Sequence, residues 1–148
     1  MAETKKYFYM RLSEHFWDSD AMIAIENQRD GFAMANLLLK MYCRSLRNDG
    51  KLVCSEKIPY SPQMLATVTR INIEIVQRAL ELFQRLELIE VFDSGTIFML
   101  DIQQYIGQSS NEADRQREYR KRIAEERQRE IDGGGGNGYE RCNICHII

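Results

Sequence analysis

The spacing of apolar and polar positions changes several times along the chain, and each change marks an element. Tyr7, Tyr9 and Arg11 alternate with Phe8, Met10 and Leu12, which predicts a short strand. Residues 13–20 are polar apart from Phe16 and Trp17, whose rings are expected to anchor the segment to a core. Ser19 can cap a helix over residues 20–26 that carries Met22, Ile23 and Ile25 on its apolar face. Asp30 then opens a longer helix running to about residue 47. In it Phe32, Ala33, Leu37, Met41 and Leu46, flanked by Leu38 and Tyr42, give a broad apolar face at helical spacing. Arg44 and Arg47 suit the C-terminal end of its dipole. Asn48-Asp49-Gly50 signals a turn, and residues 51–54 follow as a short strand.

Pro59 and Pro62 break the next stretch and set a helix start near Ser61, with Met64, Leu65 and Val68 facing inward. Thr69-Arg70-Ile71 makes a turn, and Asn72 caps a second helix. There Ile75, Val76, Ala79, Leu80, Phe83 and Leu86 point to the core, leaving Glu74, Gln77, Arg78, Glu81, Gln84 and Arg85 outside. After that helix the period drops to two. Residues 88–92 and 96–100 read as a hairpin around Asp93-Ser94-Gly95.

Helix, three-residue turn, helix and hairpin form the order of a winged helix-turn-helix. The expected fold class is therefore α+β, mainly helical. Residues 1–107 form the winged-helix DNA-binding domain and residues 108–132 a basic, charged helical extension. Residues 133–148 form a glycine-rich flexible tail ending in Cys142-Asn143-Ile144-Cys145-His146.

In such a module the second helix presents its N-terminal outer face to the major groove. Here that face holds Asn72, Ile73, Glu74, Gln77 and Arg78, with Arg70 just before it. Gln77 could read an adenine edge and Arg78 a guanine edge. Thr96, in a hairpin tip without a cation, could touch DNA only weakly. The same elements also serve as protein-interaction modules, and Ile73 on the outer face is the clue for that alternative, or for a transcriptional regulator without origin function.

Charge sharpens the choice. The chain has 148 residues, 20 Lys+Arg against 22 Asp+Glu and a net charge of −2. That is no signature of bulk nucleic-acid affinity. Residues 115–122, however, hold Arg115, Arg117, Arg120, Lys121 and Arg122 against Glu118 alone. The mild acidity is an average over an acidic domain and a compact basic segment, so phosphate contacts are expected in that segment and its deletion should be the sharpest test. A homodimer through residues 112–130 is a weaker alternative, because few apolar positions lie there.

Cys43 and Cys54 sit among apolar residues and read as buried free thiols. Cys142, Cys145 and His146 offer half of a zinc site, but four ligands are needed and the adjacent histidine is awkwardly placed. Neither a metal nor a cofactor is expected. No Walker loop, Gly-x-Ser-x-Gly or paired histidines are present, so the chain does not read as an enzyme. No apolar run approaches a membrane span and no signal-peptide core follows the N-terminus, so a cytoplasmic protein is expected.

Residues 5 to about 122 resemble the N-terminal domain of phage replisome organizers, a family of phage replication initiation proteins. The resemblance rests on Lys6-Tyr7-Phe8-Tyr9-Met10-Arg11-Leu12, His15-Phe16-Trp17-Asp18-Ser19 and Leu37-Leu38-Leu39-Lys40-Met41. It continues through Asn48-Asp49-Gly50-Lys51-Leu52, the helix pair, Leu88-Ile89-Glu90, Tyr105-Ile106-Gly107 and the basic segment, in that order. It implies a winged helix that binds double-stranded DNA at a phage origin. It also implies partners among host replication proteins, such as the replicative helicase or its loader. Such proteins continue into a second, helical domain. Only a short segment follows the glycine run here, which leaves open a truncated, rearranged or purely DNA-binding version.

Overall fold

Ser19 starts the first helix as expected. Its Oγ accepts the Met22 N–H at 3.3 Å, and α1 runs over Asp20–Glu26. The computed structural model describes residues 8–54, 58–106 and 112–133. The linker at 108–111, Tyr7 and the Cys142, Cys145 and His146 cluster lie outside the described residues. After α1 the chain reverses at once into α2 (Gly31–Ser45). A Cβ at Gly31 would run into the Ile25 and Glu26 carbonyl oxygens, so only glycine lets the two helices meet this closely.

α2 is the central helix, packed against α1 on one side and α4 on another. Its buried stripe is Met34, Ala35, Leu37, Leu38, Met41, Tyr42 and Ser45. Two expectations fail here for one reason. Phe32 is 79% exposed and Cys43 is exposed. Steps of four and then seven residues place Phe32, Asn36 and Cys43 on one stripe opposite the core. Ile23 of α1 is likewise exposed, whereas Met22, Ile25 and Cys54 are buried.

A 3-10 turn over Leu46–Asn48 follows, and Asp49 and Gly50 both take positive φ before β1 (Lys51–Leu52). Ser61 caps α3 (Pro62–Thr69) by accepting the Met64 N–H at 3.2 Å. Arg70 stands in the left-handed region at φ 59°. The Lys40 ammonium of α2 donates to the Thr69 carbonyl at 2.6 Å, filling one of the open acceptors at the end of α3. Asn72 caps α4 (Ile73–Arg85) by accepting the Glu74 N–H at 2.8 Å. Val76, Ala79, Leu80, Leu82 and Phe83 of α4 are buried.

The hairpin is β2 (Ile89–Val91) and β3 (Ile97–Met99), and β1 joins it to give an antiparallel sheet ordered β1-β3-β2. Residues 8–12 form no strand. Neither sheet edge pairs with them, and the Arg11 N–H donates instead to the Tyr105 carbonyl at 2.7 Å. Phe16 is buried, with edge-on contacts to Trp17 and Tyr105 at 5.1 and 5.9 Å between ring centroids, while Trp17 itself stays largely exposed.

Successive strand residues face opposite ways, yet Ile97, Phe98 and Met99 of β3 are all buried. The second cover is the charged segment. After the short α5 (Gln103–Ile106), α6 (Glu112–Gly133) lies across the sheet. Tyr119 and Ile123 are 3% and 2% exposed and belong to the same hydrophobic core as α2 and α4. The Tyr119 hydroxyl donates to the Met99 carbonyl at 2.9 Å, and the Gln116 amide to that of Leu100. Ion pairs Arg122–Asp49 (2.8 Å), Lys51–Glu126 and Arg127–Glu90 frame this contact. The chain is thus α+β and mainly helical. No helix among the described residues is long and apolar enough to cross a membrane.

Under α5 lies a polar cluster. The Tyr42 hydroxyl shares both carboxylate oxygens of Asp101, at 2.8 and 2.9 Å. Burial pushes Asp101 above the usual carboxylate range, against the opposing pull of Tyr42 and Arg120. Burial, aided by the Asp101 charge, raises Tyr42 above the usual phenol range and pushes Tyr105 up to about 12.

Candidate nucleic-acid interface

α4 carries its polar residues outward because its apolar ones alternate at three- and four-residue steps on the opposite side. Arg70, Asn72, Glu74, Gln77 and Arg78 are all exposed, and the fold brings them to one end of the helix. Ile73 is half-buried. The cap assigns part of their chemistry. Asn72 uses its carbonyl oxygen on the Glu74 N–H, so its amide donors face outward from the start of the helix. The Arg70 guanidinium donates to the Val68 carbonyl at 3.2 Å across the tight turn. Gln77 projects from the next turn.

Arg78 is tethered. Its Nη2 donates to the Asp30 carboxylate at 2.6 Å and its Nη1 to the Arg29 carbonyl at 3.5 Å. The turn between α1 and α2 therefore borders the outer face of α4, with Arg29 exposed beside it. Sequence reasoning missed Arg29 and Asp30 because they are 48 or more residues from Arg78 and carry no local signal. The face carries Arg29, Arg70, Arg78 and Arg85 against Asp30, Glu74 and Glu81, an excess of one cation.

Thr96 is 1% exposed. Its hydroxyl lies between Ser94 and Glu130 of α6, at 3.1 and 3.3 Å, so the hairpin tip presents a backbone turn and Asp93 rather than Thr96. The helix that covers it explains why no reading of the hairpin alone could have placed Thr96 inside.

The five cations of the basic segment divide by helical phase. Arg122 faces the domain, pairing with Asp49 and lying over the Tyr119 ring. Arg115 is half-buried, with Nε and Nη2 shielded and unpaired among the described residues. Arg117 and Lys121 lie one turn apart on the outer side, Arg117 within 2.8 Å of Asp114. Arg120 is exposed on the flank towards Asp101. No group of His, Cys, Asp and Glu side chains suited to a metal ion occurs among the described residues.

The family model described as the N-terminal phage replisome organiser matches residues 9–130. Neither the curated proteins nor the solved structures compared with the chain gives a match. The matched span runs from the segment before Phe16 through every helix and strand described above to Glu130 on α6, where the hairpin is fastened. With more than half of its length matched in this way, the chain belongs to the N-terminal phage replisome organiser family.

Proposed function

We propose that the chain is a winged-helix protein that binds double-stranded DNA at a phage replication origin and thereby starts replisome assembly. One observation carries this reading. A short helix, a turn held by Arg70 in the left-handed region, and a capped helix present exposed Arg70, Asn72, Glu74, Gln77 and Arg78 at one end, followed by a hairpin. Membership of a phage replication family supplies the process. In this reading Gln77 and Arg78 contact base edges, Glu74 suits a cytosine amino group, and Arg70 and Asn72 hold phosphates. Arg117, Arg120 and Lys121 add phosphate contacts from the outer side of α6. The protein acts by binding, with no catalytic step and no cofactor.

The test is a titration of fluorescently labelled origin duplex at several salt concentrations. Arg70→Ala with Arg78→Ala should abolish sequence preference. Binding by this double variant equal to that of the native chain would refute the role of α4.

A second reading, a contact with another replication protein, is favoured by Phe32, which is 79% exposed at the start of α2. Phe32→Ser should then weaken association with the purified replicative helicase or its loader while leaving duplex affinity unchanged.

A further inference from the structure

Asp30 occupies the N-cap of α2 but does not cap it. No backbone N–H of the helix reaches its side chain, and it stands at φ 62°, a region costly for most residues other than glycine. An aspartate at this position ordinarily accepts from the first turn. Here the carboxylate reaches across to Arg78 of α4 instead, at 2.6 Å, and the Arg29 carbonyl takes the neighbouring nitrogen at 3.5 Å. The guanidinium is gripped along one edge. Its Nε–H and one N–H on each terminal nitrogen stay available, and the two side chains are 43% and 39% exposed, so a duplex can reach them.

Resting on the DNA-binding reading above, we infer that Asp30 is the positioning residue for Arg78 and sets base discrimination at the expense of affinity. A free arginine on a helix surface reaches a guanine edge and a nearby phosphate about equally well. Phosphates also accept the guanidinium fork in two bonds, but an arginine clamped on one side presents a single fork in a single direction, so it favours a guanine edge lying in that direction over phosphates that lie elsewhere. The same carboxylate sits where phosphates would approach, so its charge lowers binding to every sequence alike. Both effects come from one residue, and they move affinity and discrimination in opposite directions.

The experiment uses the full chain. A duplex is first selected from a randomised pool, and the selected and scrambled duplexes are then titrated by fluorescence anisotropy. Asp30→Asn keeps the shape, suits positive φ as well as aspartate does, and removes the charge, so the fold should persist and a thermal melt checks it. The variant should bind the scrambled duplex severalfold more tightly. Its ratio of selected to scrambled affinity should fall by at least about fivefold, the low end of what a bidentate base contact discriminates. Arg78→Lys keeps the charge but loses the fork, so it should lower the ratio without tightening scrambled binding.

An unchanged ratio in Asp30→Asn together with a lowered ratio in Arg78→Lys overturns the positioning role while leaving DNA reading by α4 intact. An unchanged ratio in both variants removes Arg78 from base reading and the inference with it. A native chain that selects no sequence overturns the DNA-binding reading itself.

Discussion

Gly50→Ala should destabilise the chain largely by pushing against Tyr119, and a double-mutant cycle isolates that part. Gly50 has φ +100°, so any side chain there adds about 1–2 kcal/mol of backbone strain whatever surrounds it. The added Cβ also meets the Tyr119 hydroxyl and Ile102 Cγ2, and overpacking a filled core costs about 1–3 kcal/mol more. The single variant should therefore lose about 2–5 kcal/mol. Tyr119→Leu removes the ring but keeps apolar volume, so its loss should stay below the roughly 3–5 kcal/mol of truncating a large aromatic to alanine. Losing the hydroxyl adds little, because the Met99 carbonyl keeps the Ile102 N–H at 3.4 Å. In the double variant the strain at residue 50 persists while its main obstacle is gone. The double variant should exceed the sum of the singles in stability by about 1–2 kcal/mol. Urea unfolding followed by far-UV circular dichroism measures all four proteins. Additivity within about 0.5 kcal/mol would show that α6 does not rest on the Gly50 turn.

Three further outcomes follow from the same contacts. Arg117→Gln with Lys121→Gln should leave the urea midpoint unchanged and reduce the slope of log affinity against log salt by up to about 1.8, if both residues meet phosphates; an unchanged slope removes α6 from the interface. Asp101→Asn should be as stable as the native chain or more so at neutral pH, because the buried carboxylate is held above its ordinary range and its ionisation opposes folding. That advantage should shrink as pH falls and the native carboxyl becomes neutral too; an advantage that grows on acidification contradicts the assignment. Tyr105 favours the neutral phenol up to about 12, and Tyr119 is also raised, chiefly by burial. Their contribution is complete below the ordinary phenol range near pH 10 and is lost as pH rises through the folded values. Tyr119→Phe should thus lose less stability between neutral and strongly alkaline pH than the native chain, as read by urea midpoints at each pH.

The parts of the fold legible in the sequence were those set by neighbours within a few residues. Ser19, Ser61 and Asn72 each cap the helix they precede, and the three-residue turn at Arg70 lies where expected. So does the hairpin turn at Gly95, where the Gly95 N–H donates to the Phe92 carbonyl at 2.9 Å. What escaped depends on partners distant in sequence. Residues 8–12 alternate like a strand but find no edge to pair with. Phe32 and Cys43 look apolar, yet the turn at Gly31 fixes the rotation of α2 so that their stripe faces outward. The charged segment hid its structural role most fully. Only Tyr119 and Ile123 break its polarity at the phase that matters, and two apolar residues in a long helix read as accident until β3 is seen buried on both faces. That burial also changes the test of the basic segment. Deleting residues 115–122 would remove Tyr119 from the core and the turns that place Ile123 there, so neutralising Arg117 and Lys121 in place is the cleaner experiment.

The position of α6 in the chain has a consequence for how the protein is made. Domains form as units as the chain leaves the ribosome. Here the cover of the sheet is synthesised after everything it covers. Until residues 119–130 have emerged, the side of the hairpin carrying Phe92 and Phe98 has no roof, and Ser94 and Thr96 lack the Glu130 carboxylate that fastens the turn. The nascent chain must therefore carry a bare aromatic face until α6 has emerged. Ribosome stalling just before and just after α6 is released should divide chains that bind a chaperone at that face from those that have closed it.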